Sequence, residues 1–454
     1  MRAQQEPQHL RQCAICRNRL PPGYKARHIP ALQPRYGSNI ALKGEIVAAR
    51  SEGNSMKRLF AAICLCAASL TGAASAQSTD FQSWLDGFRA EAAAAGISAE
   101  VVADAFEGVT INQRVYELND DQPEFSRAIW DYIDGAVSER RIENGRAKMA
   151  EHRALLSLIE QAYGVDAEII TAIWGLETSY GAIMGGYDAI EALATLAFEG
   201  RRTGYGRSQL IGALKIIQNG YALRSQLKGS WAGAMGHTQF IPTTYLTYAV
   251  DHDGDGRRDI WANLGDVFAS TANYLSASGY RQNEAWGAEV RLPDGFDYAL
   301  ADANIRKPLV EWAAGGLKAG DGASLVGRFD PNMRGRLILP AGANGPAFMT
   351  FENFDAILKY NRSTAYALAV SLLSEEAAGR SGAVTAAWPR ADRALAFEER
   401  KALQQALIDH GYRPGPVDGI IGAGTKRALR AWQRANGLPA DGYPTATILT
   451  ILTS

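Results

Sequence analysis

The sequence predicts a mainly α protein of the α+β class, with a small β-rich insertion and a short three-helix module at its C-terminal end. Three observations carry this. Apolar residues recur at helical spacing from residue 80 to about residue 200, the mark of amphipathic helices. Alternating runs such as Ala288–Leu292 and Gly335–Leu339, with the short apolar run Ala347–Phe351, are confined to 285–350 between Pro and Gly turns, as short strands require. Beyond an Ala/Gly/Arg-rich linker over 377–396, helical spacing returns in three short segments. The 454 residues suffice for two or three domains. A net charge of −1 leaves no electrostatic footprint for nucleic acid.

The four cysteines are Cys13, Cys16, Cys64 and Cys66. Cys13 and Cys16 have the spacing of half a zinc site, but no second pair completes it. Met56-Lys57-Arg58 precedes an apolar run from Leu59 to Leu70 and then Ala74-Ser75-Ala76. A basic start, an apolar stretch short for a bilayer and a small-x-small site form the layout of a cleavable secretory signal. The expectation is that 56–76 is a signal peptide and that translation starts at Met56. Residues 1–55, rich in Arg, Pro and Gln, are then an upstream misreading or a disordered segment. The mature chain would be cysteine-free and exported, held by its core alone.

Phe81, Trp84, Leu85 and Phe88 follow helical spacing, as do Leu155, Leu156, Leu158 and Ile159. A helix over 169–181 places Ile170, Ile173, Trp174 and Glu177 at i, i+3, i+4 and i+7, on one face. Asp166 is positioned to cap its start and Gly181 to end it. A carboxyl on an apolar stripe, near the negative end of a helix dipole, is costly to ionise. Its pKa should rise, which is what a glycosidase needs of a general acid near neutral pH. The competing reading is a glutamate at the edge of a core helix. Ala189–Phe198 is a further apolar helix, and 201–206 reads as a loop.

Small residues dominate Gly229-Ser230-Trp231-Ala232-Gly233-Ala234-Met235-Gly236-His237-Thr238-Gln239-Phe240-Ile241-Pro242, where backbone can approach a ligand closely. Ser230, His237 and Gln239 supply hydrogen-bond groups. His237 has no Ser or Cys nucleophile motif beside it and reads as a bystander. In Asp251-His252-Asp253-Gly254-Asp255-Gly256-Arg257-Arg258-Asp259, carboxylates stand at positions 1, 3, 5 and 9 of a calcium loop, with Gly256 at the turn and the Arg257 carbonyl at position 7. Position 12 is Ala262 rather than the bidentate Glu; Asp266 is the candidate to reach in instead. A structural calcium is the expectation, against an Asp/Gly turn without an ion.

Helix returns at Phe354–Leu358 and after Thr364. Between them, in Tyr360-Asn361-Arg362-Ser363-Thr364-Ala365-Tyr366, Asn361 is either a turn or N-cap residue or an amide aimed at a polar substrate group. The final module has helical patterns at Leu403–Leu407, Ala428–Trp432 and Ile448–Leu449, with turns at Val417-Asp418-Gly419 and Ala440-Asp441-Gly442.

Gly175-Leu176-Glu177-Thr178-Ser179-Tyr180-Gly181, the Gly229–Pro242 run and Tyr360-Asn361-Arg362-Ser363-Thr364-Ala365-Tyr366-Ala367-Leu368 resemble, in that order, the motifs of the lytic murein transglycosylase B family. The resemblance covers about 80–376; residues 397–452 resemble a peptidoglycan-binding domain. It implies a lysozyme-like helical catalytic domain that cleaves the β-1,4 bond between N-acetylmuramic acid and N-acetylglucosamine, giving 1,6-anhydromuramoyl ends without water. It implies Glu177 as the sole catalytic carboxylate, acid then base. Ser230 would bond Glu177 or substrate, and Gln239 and Asn361 would hold substrate polar groups. Tyr132, Tyr205, Tyr274, Tyr360 and Tyr366 match groove aromatics. No cofactor is needed for the chemistry. Peptidoglycan glycan strands are the implied partner, with association with other cell-wall enzymes a further expectation, in the periplasm.

The residues agree on one point. An ordinary glycosidase uses two carboxylates, and none of the three motifs holds a second. One suffices if the substrate supplies its own nucleophile, whose effective concentration is then high. The alternatives are a hydrolysing muramidase and, from another class, a non-catalytic peptidoglycan-binding scaffold.

Overall fold

The computed structural model describes residues 80–120, 128–380 and 384–454. The signal-like stretch 56–76, the segment before it and all four cysteines lie outside these residues. The described chain is mostly helical, arranged around one buried helix, Ala167–Thr178. Ile169 through Gly175 are all buried, and a helix apolar all round belongs in a core. It packs chiefly against Thr364–Ala377 and Glu139–Glu151. Asp166 precedes it with extended backbone, but its carboxylate makes no cap. It accepts instead from Tyr280 Oη at 2.7 Å and Asn283 N at 3.1 Å, while Glu160 Oε1 takes the first-turn Ala167 N–H at 3.2 Å. The helix stops at Ser179, left-handed at φ 51°, two residues before Gly181.

The expected loop at 201–206 is shorter than the residues suggest, because a helix runs from Thr203 to Gln218. Gly206 belongs to that helix for a packing reason. A Cβ there would lie 2.4 Å from Ala197 N on the neighbouring Ala189–Phe198 helix, so the two backbones cross in direct contact.

Inside 287–350 the strands lie in the order Lys307–Pro308, Arg334–Ile338, Ala347–Thr350, Gly287–Arg291 and Lys318–Ala319, all neighbours antiparallel. Met349 faces Leu337 on one side and Ala288 on the other. Ala347–Thr350 is central and buried at all four positions, which is why it reads as an unbroken apolar run. The two-residue edge strands and the Leu309–Ala314 helix are too short to show a period. Trp312, on that helix, fills the subdomain core.

The C-terminal helices Phe397–Asp409, Ala423–Ala435 and Ala446–Thr453 close around Leu403, Leu407, Leu429, Trp432 and Leu452. The linker before them is a pinned strap. Glu289 accepts from Thr385 N, Thr385 Oγ1 and Ala386 N at 2.7, 2.8 and 2.7 Å. Arg390 forks onto Asp134 at 2.7 and 2.9 Å, and Trp388 packs on Trp130. Asp441 of the module accepts from Ala343 N at 2.7 Å. A cavity of about 640 Å³ lies beneath the start of the Ala167–Thr178 helix, between sheet and strap. Within its lining Glu168 and Glu375 pair with Arg380, and Asp321 with Arg328. Among the described residues no helix is long and apolar enough to cross a membrane.

Glu289→Ala would leave two strap amides and a hydroxyl without their acceptor. The expected result is a loss of roughly 1–3 kcal/mol in denaturant unfolding, together with new protease cleavage within 384–396.

Candidate active site

The site forms where the buried helix breaks off. Ser179, Tyr180 and Gly181 are left-handed in succession, at φ 51°, 61° and 84°, and the preceding residues make that turn possible. Tyr180 folds back onto the helix and donates from Oη to Arg141 O at 2.7 Å. A Cβ on Gly175 would lie 2.6 Å from its ring. A Cβ on Gly181 would lie 2.2 Å from the His237 ring. Trp174 Nε1 donates to His237 Nδ1 at 2.8 Å. With Nδ1 accepting and burial holding its pKa down, His237 is a neutral imidazole that latches the two motifs. That contact gives it a structural task.

Glu177 lies in the last turn, half-buried. Burial pushes its carboxyl up to about 7 from an ordinary 4.5, against the opposing pull of one hydrogen bond. That bond comes from Tyr366 Oη, which donates to Oε1 at 2.6 Å. It leaves the acid proton to Oε2. Tyr366 itself is 4 % exposed, and burial, with the carboxylate beside it, holds its phenol well above the usual range. No other carboxylate among the described residues acts on the ionisation of Glu177.

The predicted tyrosines assemble around this pair. Tyr360 stacks parallel to Tyr366, ring centres 6.5 Å apart, and meets Tyr274 edge-on at 4.9 Å. Tyr132 is near enough to raise the Tyr366 pKa further. Tyr360 donates from Oη to Thr238 O at 2.7 Å and Tyr274 to Lys359 O at 2.6 Å. Their hydroxyl hydrogens are therefore committed to backbone, which leaves a ligand the ring faces and edges and the oxygen lone pairs. Tyr205 stands apart from this cluster. Its Oη donates to Ala232 O at 2.8 Å, inside the turn after Ser230. Arg202 lies over both Tyr205 and Trp231, at 4.5 and 5.6 Å. Sequence reading passed over Arg202 and Trp231; the i, i+3 spacing of Arg202 and Tyr205 is the signal that could have found them.

Ser230 begins a tight turn. Its N–H donates to Ala234 O at 2.7 Å and its Oγ accepts from Ala234 N at 3.1 Å. Gln239 donates from Nε2 to Met184 O at 3.0 Å and Gly236 O at 2.8 Å. Asn361 is exposed at the end of the Glu352–Tyr360 helix. The cap of the next helix is Ser363, which accepts from Tyr366 N at 3.3 Å, so the capping role considered for Asn361 belongs to its neighbour.

In the Asp/Gly loop, ligand oxygens of Asp251, Asp253 and Asp255 lie within 4.8 Å of one another. Three hard oxygen donors this close fit a calcium ion. Asp259 is turned away from them: its Oδ1 accepts from Trp261 N and Ala262 N, both at 2.9 Å. Asp266 does not supply the missing ligand. It is fully buried, and its two oxygens accept from His252 N at 2.7 Å and Asp259 N at 2.6 Å. It ties the two arms of the loop from within.

Residues 80–375 match the transglycosylase SLT domain and residues 398–452 a putative peptidoglycan binding domain. Over 248 residues the chain is 33 % identical to membrane-bound lytic murein transglycosylase B of Escherichia coli K12, covering 53 % of this chain and 65 % of that protein. The chain thus spans just under two thirds of that relative. The structure is similar to SltB3 from Pseudomonas aeruginosa in complex with NAG-anhNAM-pentapeptide, with a TM-score of 0.80 and 50 % identity over 82 % of this chain and 99 % of that one. It is also similar to Escherichia coli Slt35 in complex with calcium, with a TM-score of 0.55 and 29 % identity over 66 % and 93 %. By sequence and by structure, the chain belongs to the transglycosylase SLT domain family.

Proposed function

We propose that this protein is a lytic transglycosylase that cuts the β-1,4 bond between N-acetylmuramic acid and N-acetylglucosamine in peptidoglycan. The observation that carries the reading is Glu177, a carboxyl that burial raises to about 7 and that Tyr366 holds by one hydrogen bond. Protonated, it gives its hydrogen to the leaving O4 as the C1–O4 bond breaks. The carboxylate then takes a proton from the muramoyl C6 hydroxyl as O6 closes on C1. The acid is regenerated, no water enters, and the product is a 1,6-anhydro ring. An intramolecular nucleophile replaces the second carboxylate of an ordinary glycosidase. That SltB3 has been seen with a NAG-anhNAM-pentapeptide supports this product. A hydrolysing muramidase is the alternative, and would place labelled water in reducing ends.

Tyr132, Tyr274, Tyr360 and Tyr366 line one side of the glycan groove, with Tyr205 and the Ser230 turn on the other. Ser230 Oγ and the exposed Asn361 amide meet substrate polar groups. Residues 397–452 hold the enzyme to the wall. The chain reaches the periplasm through the signal at 56–76, and other cell-wall enzymes are its natural neighbours there. Asp251, Asp253 and Asp255, with the Arg257 carbonyl, hold a calcium ion that fixes the loop and takes no part in the chemistry. The calcium reported with Slt35 supports that.

Wild-type protein on purified sacculi should release anhydromuramoyl ends by mass spectrometry, and Glu177→Gln should lose at least about 10²–10⁴-fold in rate. Because the acid form starts the reaction, the rate should fall as pH rises through about 7. Tyr366 stabilises the carboxylate, so Tyr366→Phe should move that alkaline limb to higher pH while lowering the maximal rate. An unmoved limb would contradict the assigned bond. Calcium should raise the melting temperature of wild type, a chelator should reverse this, and Asp253→Ala should show neither effect.

A further inference from the structure

We propose that Gln239 is a positioning residue of the reaction, whose amide clamps the 181–186 segment behind the catalytic glutamate onto the Gly229–Pro242 run, at the Gly236 turn. The inference rests on the lytic transglycosylase reading. Resemblance assigns Gln239 to substrate, yet its two amide hydrogens already go to main-chain carbonyls, Met184 O at 3.0 Å and Gly236 O at 2.8 Å. A primary amide nitrogen has no third hydrogen for a sugar. Gln239 holds this pose in the left-handed region, at φ 50°, which strains a non-glycine residue. The surroundings must therefore impose it.

The clamp joins two pieces of backbone already in contact. Gly185 is left-handed, and a Cβ there would lie 2.2 Å from Gly229 O and 3.0 Å from Ser230 N. Ala182, Ile183, Gly185 and Gly186 are exposed, with Ile183 at 70 %, so few buried contacts hold this segment by themselves. Ile183 N donates to Thr178 O at 2.9 Å, one residue from Glu177. Any slip of the segment is thus passed to the last helical turn and so to the carboxyl. Thr178 adds a second tie, its hydroxyl accepting from Gly181 N at 3.1 Å.

The test compares wild type, Gln239→Glu and Gln239→Gly on soluble, uncrosslinked glycan strands, with hydrogen exchange of the same full-length mature proteins free of substrate. Glu keeps the length but has no hydrogen to donate; Gly relieves the backbone strain. If Gln239 is a clamp, both variants lose kcat by about 10²-fold with KM unchanged, and exchange quickens over 181–186 but not over the 189–198 helix. A raised KM with kcat kept, and unaltered exchange over 181–186, would make Gln239 a substrate contact and overturn the proposal. A wild type that forms no anhydro ends would overturn the transglycosylase reading instead, and the exchange data would still decide the clamp. General unfolding of one variant shows as quickened exchange in both segments, and the other variant then decides.

Discussion

A single hydrogen bond, from the Tyr366 hydroxyl to Glu177 Oε1 at 2.6 Å, sets the terms for the rest of the catalytic domain. A carboxyl placed among apolar groups needs either a partner or a proton. Here it has one partner and keeps the proton to about pH 7. Holding that balance demands that two distant stretches stay aligned within hydrogen-bond distance. Glu177 sits on a helix buried on nearly every side. Tyr366 sits near the start of the Thr364–Ala377 helix packed against it. The latch of Trp174 on His237 and the folded-back Tyr180 keep the helix end from fraying, which exposed helix ends otherwise do.

The same alignment explains why the motifs are rich in residues that make room for, or bond to, other side chains. Gly175 makes room for the Tyr180 ring, and Gly181 for the His237 ring. Thr238 lends its carbonyl to Tyr360. Each exists to place the acid, the aromatic wall or the Ser230 turn. The strap and the terminal module obey a similar logic at longer range. Glu289, Asp134 and Ala343, all in the catalytic part of the chain, fasten the strap and the C-terminal module to it. The module is therefore held in a defined relation to the rest of the chain.

Much of this was legible in the residues. The helical period around Ile170, Ile173 and Trp174 announces a core helix, and an acid at the next step of that period announces a raised pKa. The alternation at Ala288–Leu292 and Gly335–Leu339 marks strands that form within one residue of those bounds. What was hidden depends on tertiary partners. Asp166 has the identity of a cap, but Tyr280 and Asn283 claim its carboxylate from more than 100 residues away. Composition marks 377–396 as a linker, yet Thr385, Trp388 and Arg390 each find a fixed partner that no local pattern encodes. Asp266 stands near the calcium loop, but its burial turns it from a ligand into a tie between loop arms.

In the proposed reaction, the end of the helix serves both halves of the chemistry. The carbonyls of its last turn give it a partial negative charge. Before the bond breaks, that charge adds to burial in disfavouring a carboxylate at Glu177, so the acid keeps its proton. As the bond breaks, positive charge develops at C1, and the same fixed dipoles favour it without having to reorganise. The electron-rich faces of Tyr360 and Tyr366, whose planes lie within 5° of parallel, act in the same sense on a cation beside them. A second carboxylate would stabilise that cation more strongly, but it would also raise the cost of ionising Glu177 in the acid step. With one acid, a helix terminus and aromatic faces, the site favours the cation while leaving its capture to the substrate's own C6 hydroxyl.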